Sequence, residues 1–185
     1  PKYKNNKSIS RIQKKTAKIY TNHKFPKSDI LPKISCYQGH KKIKVGYFSA
    51  DFRNHAIGYL TAELYELHDK SKFEIHAFSL RESKKDEFNN RIRSGVEHFH
   101  DVQKMSDESI ALLSRSLEID IAIDLAGFTG GNRQGIFAMT LAPIQACYLG
   151  YAGTMGSDYM DYLIADHTLI PKDKQQYYSE KIVYL

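Results

Sequence analysis

Residues 43 to 68 read IKVGYFSADFRNHAIGYLTAELYELH, and their order decides the fold class. Ile43 to Ser49 is an apolar run rich in β-formers. From Ile57 to His68 apolar residues return at helical spacing, and Leu60, Leu64 and Leu67 are expected on one inward face. A short polar segment, Ala50 to His55, joins the two. Strand, loop and helix in this order form the unit from which parallel sheets are built.

The unit recurs downstream. Phe73 to Leu80 reads as a strand, the polar segment Asp86 to Gly95 as a helix, and His98 to Val102 as a short strand. Ser106 offers an N-cap to a helix running to about Leu117, with Ile110, Leu113 and Leu117 inward. Ile119 to Leu125 is a strand, Asn132 to Thr140 a short helix, and Ile144 to Leu149 and Tyr162 to Ala165 are further strands. Tyr177 to Glu180 reads as a turn into a last strand, Lys181 to Leu185, which stops where the chain stops. The pattern predicts an α/β fold, Rossmann-like, with a mostly parallel sheet and helices on both faces.

Upstream the text is different. Residues 1 to 44 hold 13 Lys/Arg and a single acid, Asp29, whereas the remainder holds 14 Lys/Arg and 20 Asp/Glu. Residues 1 to 40 are therefore expected to form a basic arm or connector that packs loosely or extends away, followed by one domain over residues 41 to 185. Ser10 to Tyr20 is a short helix candidate, and Pro26 and Pro32 break the pattern after it. Nucleic-acid binding is not favoured, since the basic residues sit on the arm rather than on the body. No apolar run reaches the roughly 20 residues of a membrane span. Cys36 and Cys147 show no metal-ligand spacing, and a reducing cytoplasmic setting is expected. The scattered His, Asp and Cys residues predict no metal centre.

In an open α/β sheet, ligands bind beyond the carboxyl ends of the strands. Three loops of unusual composition occupy such positions: 50 to 55, 127 to 133 and 150 to 156. None matches a dinucleotide or P-loop fingerprint. His55 stands at a strand-to-helix junction, where an imidazole either moves a proton near neutrality or caps the helix. Alternation sends His98 and His100 to one face, in a structural role.

Three stretches carry a family resemblance: KKIKVGYFSADFRNHAIGYL from Lys41, DIAIDLAGFTGGNRQGIFAMTLAPIQACYLGYAGTMGSDYMDYLIADHTLIP from Asp120, and YYSEKIVYL from Tyr177. They resemble the O-linked N-acetylglucosamine transferases and their bacterial relatives over residues 41 to 185. The resemblance implies the first Rossmann-like domain of a GT-B glycosyltransferase, cut from a longer chain. Helical tetratricopeptide repeats commonly precede that domain, and a second domain of the same chain supplies most contacts to the UDP-GlcNAc donor.

By the same resemblance, His55 matches the family histidine beside the sugar, considered as a proton acceptor. Leu149, Gly150, Tyr151 and Thr154 match the loop that borders the sugar and acceptor pocket. A second family histidine near the active site has no match here, and His98 is left outside the site. Ala56 and Ala152 stand where relatives usually carry proline, and Phe128 where tyrosine is common. The implied reaction is inverting transfer of N-acetylglucosamine to Ser/Thr hydroxyls of a protein acceptor, with no cofactor and no metal. A transferase acting on asparagine or a non-protein acceptor, or a non-catalytic scaffold, stays open. The resemblance implies that this chain alone is inactive.

Overall fold

The computed structural model describes residues 7–82 and 85–185. Among these, seven strands form one sheet: β1 (Ile43–Ser49), β2 (Phe73–Ser79), β3 (His98–Asp101), β4 (Ile121–Asp124), β5 (Ile144–Tyr148), β6 (Tyr162–Ala165) and β7 (Lys181–Tyr184). The spatial order is β3-β2-β1-β4-β5-β6-β7, and every pair is parallel. The chain builds outward from β1 to β3, then returns to β1's other side and builds outward again. That reversal creates a switch point between β1 and β4, where the loops leaving the two strands diverge and leave a crevice.

Among the described residues five α-helices accompany the sheet: α1 (Lys7–Lys24), α2 (Ala56–Leu67), α3 (Glu87–Gly95), α4 (Asp107–Ser116) and α5 (Gln134–Ala138). Side chains alternate across each strand, so β1 feeds two cores. Val45 and Tyr47 join Ile75, Ala77 and Ile123 beneath α2 and α3, through Ala62, Tyr65 and Ile92. Phe48 joins Phe78 and Ala122 beneath α4 and α5, through Ile110, Ala111, Ile136 and Phe137. Phe48 stacks on Phe78 with ring centroids 4.3 Å apart, and burying each phenyl contributes about 1.5–3 kcal/mol. The expected α/β, Rossmann-like sheet with helices on both faces is the observed one.

Two expectations are corrected. Leu60 and Leu67 are exposed, and α2 instead buries Ile57, Gly58, Thr61, Ala62 and Tyr65. That set has helical spacing too. Thr61 satisfies its hydroxyl by donating to the Ile57 carbonyl at 2.7 Å, and Gly58 lies against the Arg53 carbonyl, where a side chain would collide. Gly58, Thr61 and Ala62 let the helix approach closely, while Ile57 and Tyr65 fill the core beside them.

The arm also departs from loose packing. Its helix α1 is longer than Ser10 to Tyr20, and Ala17 and Thr21 are buried against the body. Thr21 Oγ1 donates to the Met155 carbonyl at 2.6 Å, and Tyr159 donates its hydroxyl proton to the Phe25 carbonyl at 3.1 Å. Gly156, with φ +65°, faces the backbone of Lys18, so α1 seats where no Cβ intervenes. Further along, Arg115 grips the Pro32, Met139 and Thr140 carbonyls, and His40 lies between Glu118 and Asp120. Charge composition alone hides most of this, because apart from His40 the contacts use backbone carbonyls and one small buried face.

Candidate active site

At the carboxyl ends of β1 and β4 the switch point opens into a cleft of about 480 Å³. Loop 50 to 55 supplies Asp51, Arg53 and His55; loop 127 to 133 supplies Thr129 and Gly130; the end of β5 supplies Leu149 and Gly150. The three glycine-bearing or polar loops therefore converge, with His55 and Gly150 lining one cavity.

His55 is the N-cap of α2. Its backbone is extended, with φ −159° and ψ 157°, and its Nδ1 accepts the Ile57 backbone N–H at 3.2 Å. A nitrogen that accepts carries no proton, so the neutral ring is the Nε2–H tautomer. Nε2 has no partner among the described residues, and 40% of the side chain is exposed at the cleft. Asp51 Oδ2 lies 3.9 Å from Nδ1, while Asp51 Oδ1 accepts from Arg53 Nε and Nη2 at 3.1 and 2.8 Å. The capping role weighed from the sequence is thus real. It also aims an imidazole N–H into the cleft.

The loop after β4 is pinned from below. Asp124 Oδ1 accepts the Ala126 N–H at 2.9 Å, and Oδ2 accepts Gly127 N–H at 3.0 Å and Gln134 Nε2 at 2.6 Å. Burial pushes the Asp124 carboxyl up, while these three donors favour its anion. Leu149, a branched residue, is held at φ +61° immediately before Gly150. Such left-handed strain persists only where the surroundings over-determine it, and it gathers at functional sites.

The structure does not bring all five expected residues together. Tyr151 turns away and packs edge-on against Phe128, centroids 5.3 Å apart, in the groove beneath α1. Thr154 is buried: its Oγ1 donates to Glu180 Oε2 at 2.8 Å and accepts N–H groups from Ser179 and Gly156 at 3.0 and 3.2 Å. Glu180 Oε1 accepts the Met155 N–H at 2.8 Å, so Thr154 and Glu180 lock the loop to the approach of β7. The backbone bends after Gly150, which is why only the loop's first residues face the cleft.

Arg81 was not singled out from the sequence, yet it lines the cleft. Its signal was positional, since it follows the apolar run of β2 at the same sheet edge. Together the Arg81 and Arg53 cations and the opening turn of α2 give the cleft groups suited to anionic oxygens. Glu74, His76 and His98 form a separate cluster at the opposite end of β2, with potential ligand atoms within 4.8 Å of one another.

The glycosyl transferase family 41 model matches residues 10–185. The chain belongs to glycosyl transferase family 41. The match starts inside α1, so most of the packed helix falls within the family's pattern. Among curated family-41 relatives, the chain is 40% identical over 147 residues to the probable UDP-N-acetylglucosamine–peptide N-acetylglucosaminyltransferase SEC of Arabidopsis thaliana. That alignment covers 80% of this chain and 15% of the relative. It is 32% identical over 149 residues to the UDP-N-acetylglucosamine–peptide N-acetylglucosaminyltransferase of Caenorhabditis elegans, covering 80% of this chain and 13% of that protein. A solved mutant O-GlcNAc transferase from Thermobaculum terrenum superposes with a TM-score of 0.86 at 28% identity, over 95% of this chain and 34% of the other. The chain thus spans a small part of each relative's length.

Proposed function

We propose that this domain forms one wall of the active site of an inverting glycosyltransferase that moves N-acetylglucosamine from UDP-GlcNAc to Ser/Thr hydroxyls of proteins. The observation that carries the reading is the convergence of His55, Arg81, Thr129, Leu149 and Gly150 at the sheet's switch point, within a family-41 domain. Support for the donor and for a peptide acceptor comes from the Arabidopsis and Caenorhabditis relatives, which are named as UDP-N-acetylglucosamine–peptide N-acetylglucosaminyltransferases.

In this reading the acceptor hydroxyl attacks the anomeric carbon while the nucleoside diphosphate leaves. The attacking oxygen loses a proton, and the departing oxygen gains negative charge. His55 donates its Nε2–H to a sugar or acceptor oxygen and orients it, a positioning role before a basic one. Acting as a base through Nε2 requires moving the resting proton to Nδ1, which gives up the α2 cap. A second Rossmann-like domain of the same chain holds most of the UDP-GlcNAc, and closing the two domains excludes water. The reaction runs without a metal or cofactor, and the protein works in the cytoplasm, in keeping with free Cys36 and Cys147. Tetratricopeptide repeats present the protein acceptor.

The test is a radiolabelled-sugar assay on this domain alone and joined to its partner domain, with and without chelator. The joined protein is expected to label Ser/Thr residues with chelator present, and the single domain to label nothing. Labelling of asparagine or a non-protein acceptor favours the related transferase. Neither transfer nor donor hydrolysis by the joined protein would make the domain a scaffold.

A further inference from the structure

The cluster at the far end of β2 has no part in the proposed reaction. Glu74 and His76 are two residues apart on β2 and share a face. The β2–β3 register sets His98 directly beside His76, and His100 beside Phe78, on that same face. A sequence scan for ligand spacing misses this arrangement, because the cross-strand pairing and not the chain brings the groups together.

Their geometry matches a tetrahedral ion. A zinc ion bound by imidazole nitrogen and carboxylate oxygen at about 2.0–2.1 Å spaces its ligand atoms about 3.4 Å apart. Glu74 Oε1 lies 3.0 Å from His76 Nε2 and 3.4 Å from His98 Nε2, and all three ligand atoms fall within 4.8 Å. The partner of the other His76 nitrogen is also in place: Nδ1 lies 3.1 Å from His100 Nε2. With Nδ1–H donating to His100, the His76 Nε2 lone pair is free for an ion, the arrangement that orients metal-bound histidines. His76 is buried, while His98 is about half exposed, so solvent can reach a fourth position. Lys44, opposite Glu74 in register, donates its Nζ to the Leu117 carbonyl at 3.0 Å.

We infer that Glu74, His76 and His98 bind one zinc-type divalent cation that clamps the edge strand β3 to β2. Two of the ligands belong to β2 and one to β3, so the ion adds a cross-link between them. It sits at the amino ends of the strands, across the sheet from the cleft, and its role is structural. Among the described residues β3 is a four-residue edge strand paired only with β2, and such a strand gains most from an added tie.

Calorimetric titration of tag-free protein with zinc chloride, with magnesium chloride as control, tests the inference. The expected result is one equivalent of zinc bound and no magnesium uptake. His98→Ala and Glu74→Gln should abolish the binding, and His100→Ala should weaken it about 10- to 100-fold. All three should keep the wild-type circular dichroism. Zinc should also slow amide exchange of residues 98 to 101, and chelator should reverse that. No stoichiometric zinc binding, binding unaltered in both His98→Ala and Glu74→Gln, or unchanged exchange in β3 would each overturn the clamp.

Discussion

The Nδ1 of His55 accepts the backbone N–H of Ile57 at 3.2 Å, so one bond both starts helix α2 and sets the tautomer facing the cleft. Replacing His55 with Ala is expected to cost about 1 kcal/mol of stability through the lost cap. His55→Asn should retain most of that stability, because asparagine caps well. In the complete enzyme proposed above, a donor role predicts a loss of roughly 10-fold in kcat/KM for either variant. A loss of roughly 100-fold or more would instead mark His55 as the general base.

Ala56 occupies the first position of α2, and its N–H has no hydrogen-bond partner among the described residues. Proline fits that position well, and the extended backbone of His55 is the one a following proline requires. Ala56→Pro should therefore raise stability by about 0.4–1 kcal/mol through a less flexible unfolded chain. Urea denaturation reads the shift, and a loss of stability would show that the loop holding His55 is not set as described.

Thr154 serves Glu180, Ser179 and Gly156 at once from a buried site. Thr154→Val keeps the shape and removes every polar contact, leaving Glu180 Oε2 and two backbone N–H groups without it. The expected cost is about 1–3 kcal/mol or more by chemical denaturation. Thr154→Ser should restore most of it. A valine variant as stable as wild type would show that the loop is held by packing alone.

His40 ties the connector to the sheet through Glu118 at 2.8 Å and Asp120 at 3.1 Å. Hydrogen bonds to Glu118 and then Asp120 raise its pKa above the ordinary 6.5. Because the folded value is the higher one, its stabilisation is complete below 6.5 and fades as pH rises through the raised value. Amide protection in the segment before β1, corrected for the intrinsic base-catalysed exchange rate, should therefore fall as pH rises above 6.5 and through the raised value, and His40→Ala should flatten that dependence. Equal pH profiles for both proteins would remove His40 as the tie.

The strands and most helices were legible because each obeys a local rule. Ile43 to Ser49 is a run of β-formers, Ser106 caps α4, and Ile110 is buried where the spacing put it. The face of α2 was misread because two sets of residues share helical spacing, and only the approach of Gly58 to the Arg53 carbonyl separates them.

The site divides the same way. Sequence alone determined that parallel strands end in polar and glycine-bearing loops, that His55 opens a helix, and which family the loops resemble. Those are properties of neighbours along the chain. Only the tertiary structure decided that Arg81 joins the cleft, that Tyr151 and Thr154 leave it, and that Glu74, His76 and His98 meet across two strands. Each of those depends on strand register, loop direction or helix seating. Such relations are set by packing between segments far apart in the chain, where local spacing carries no information.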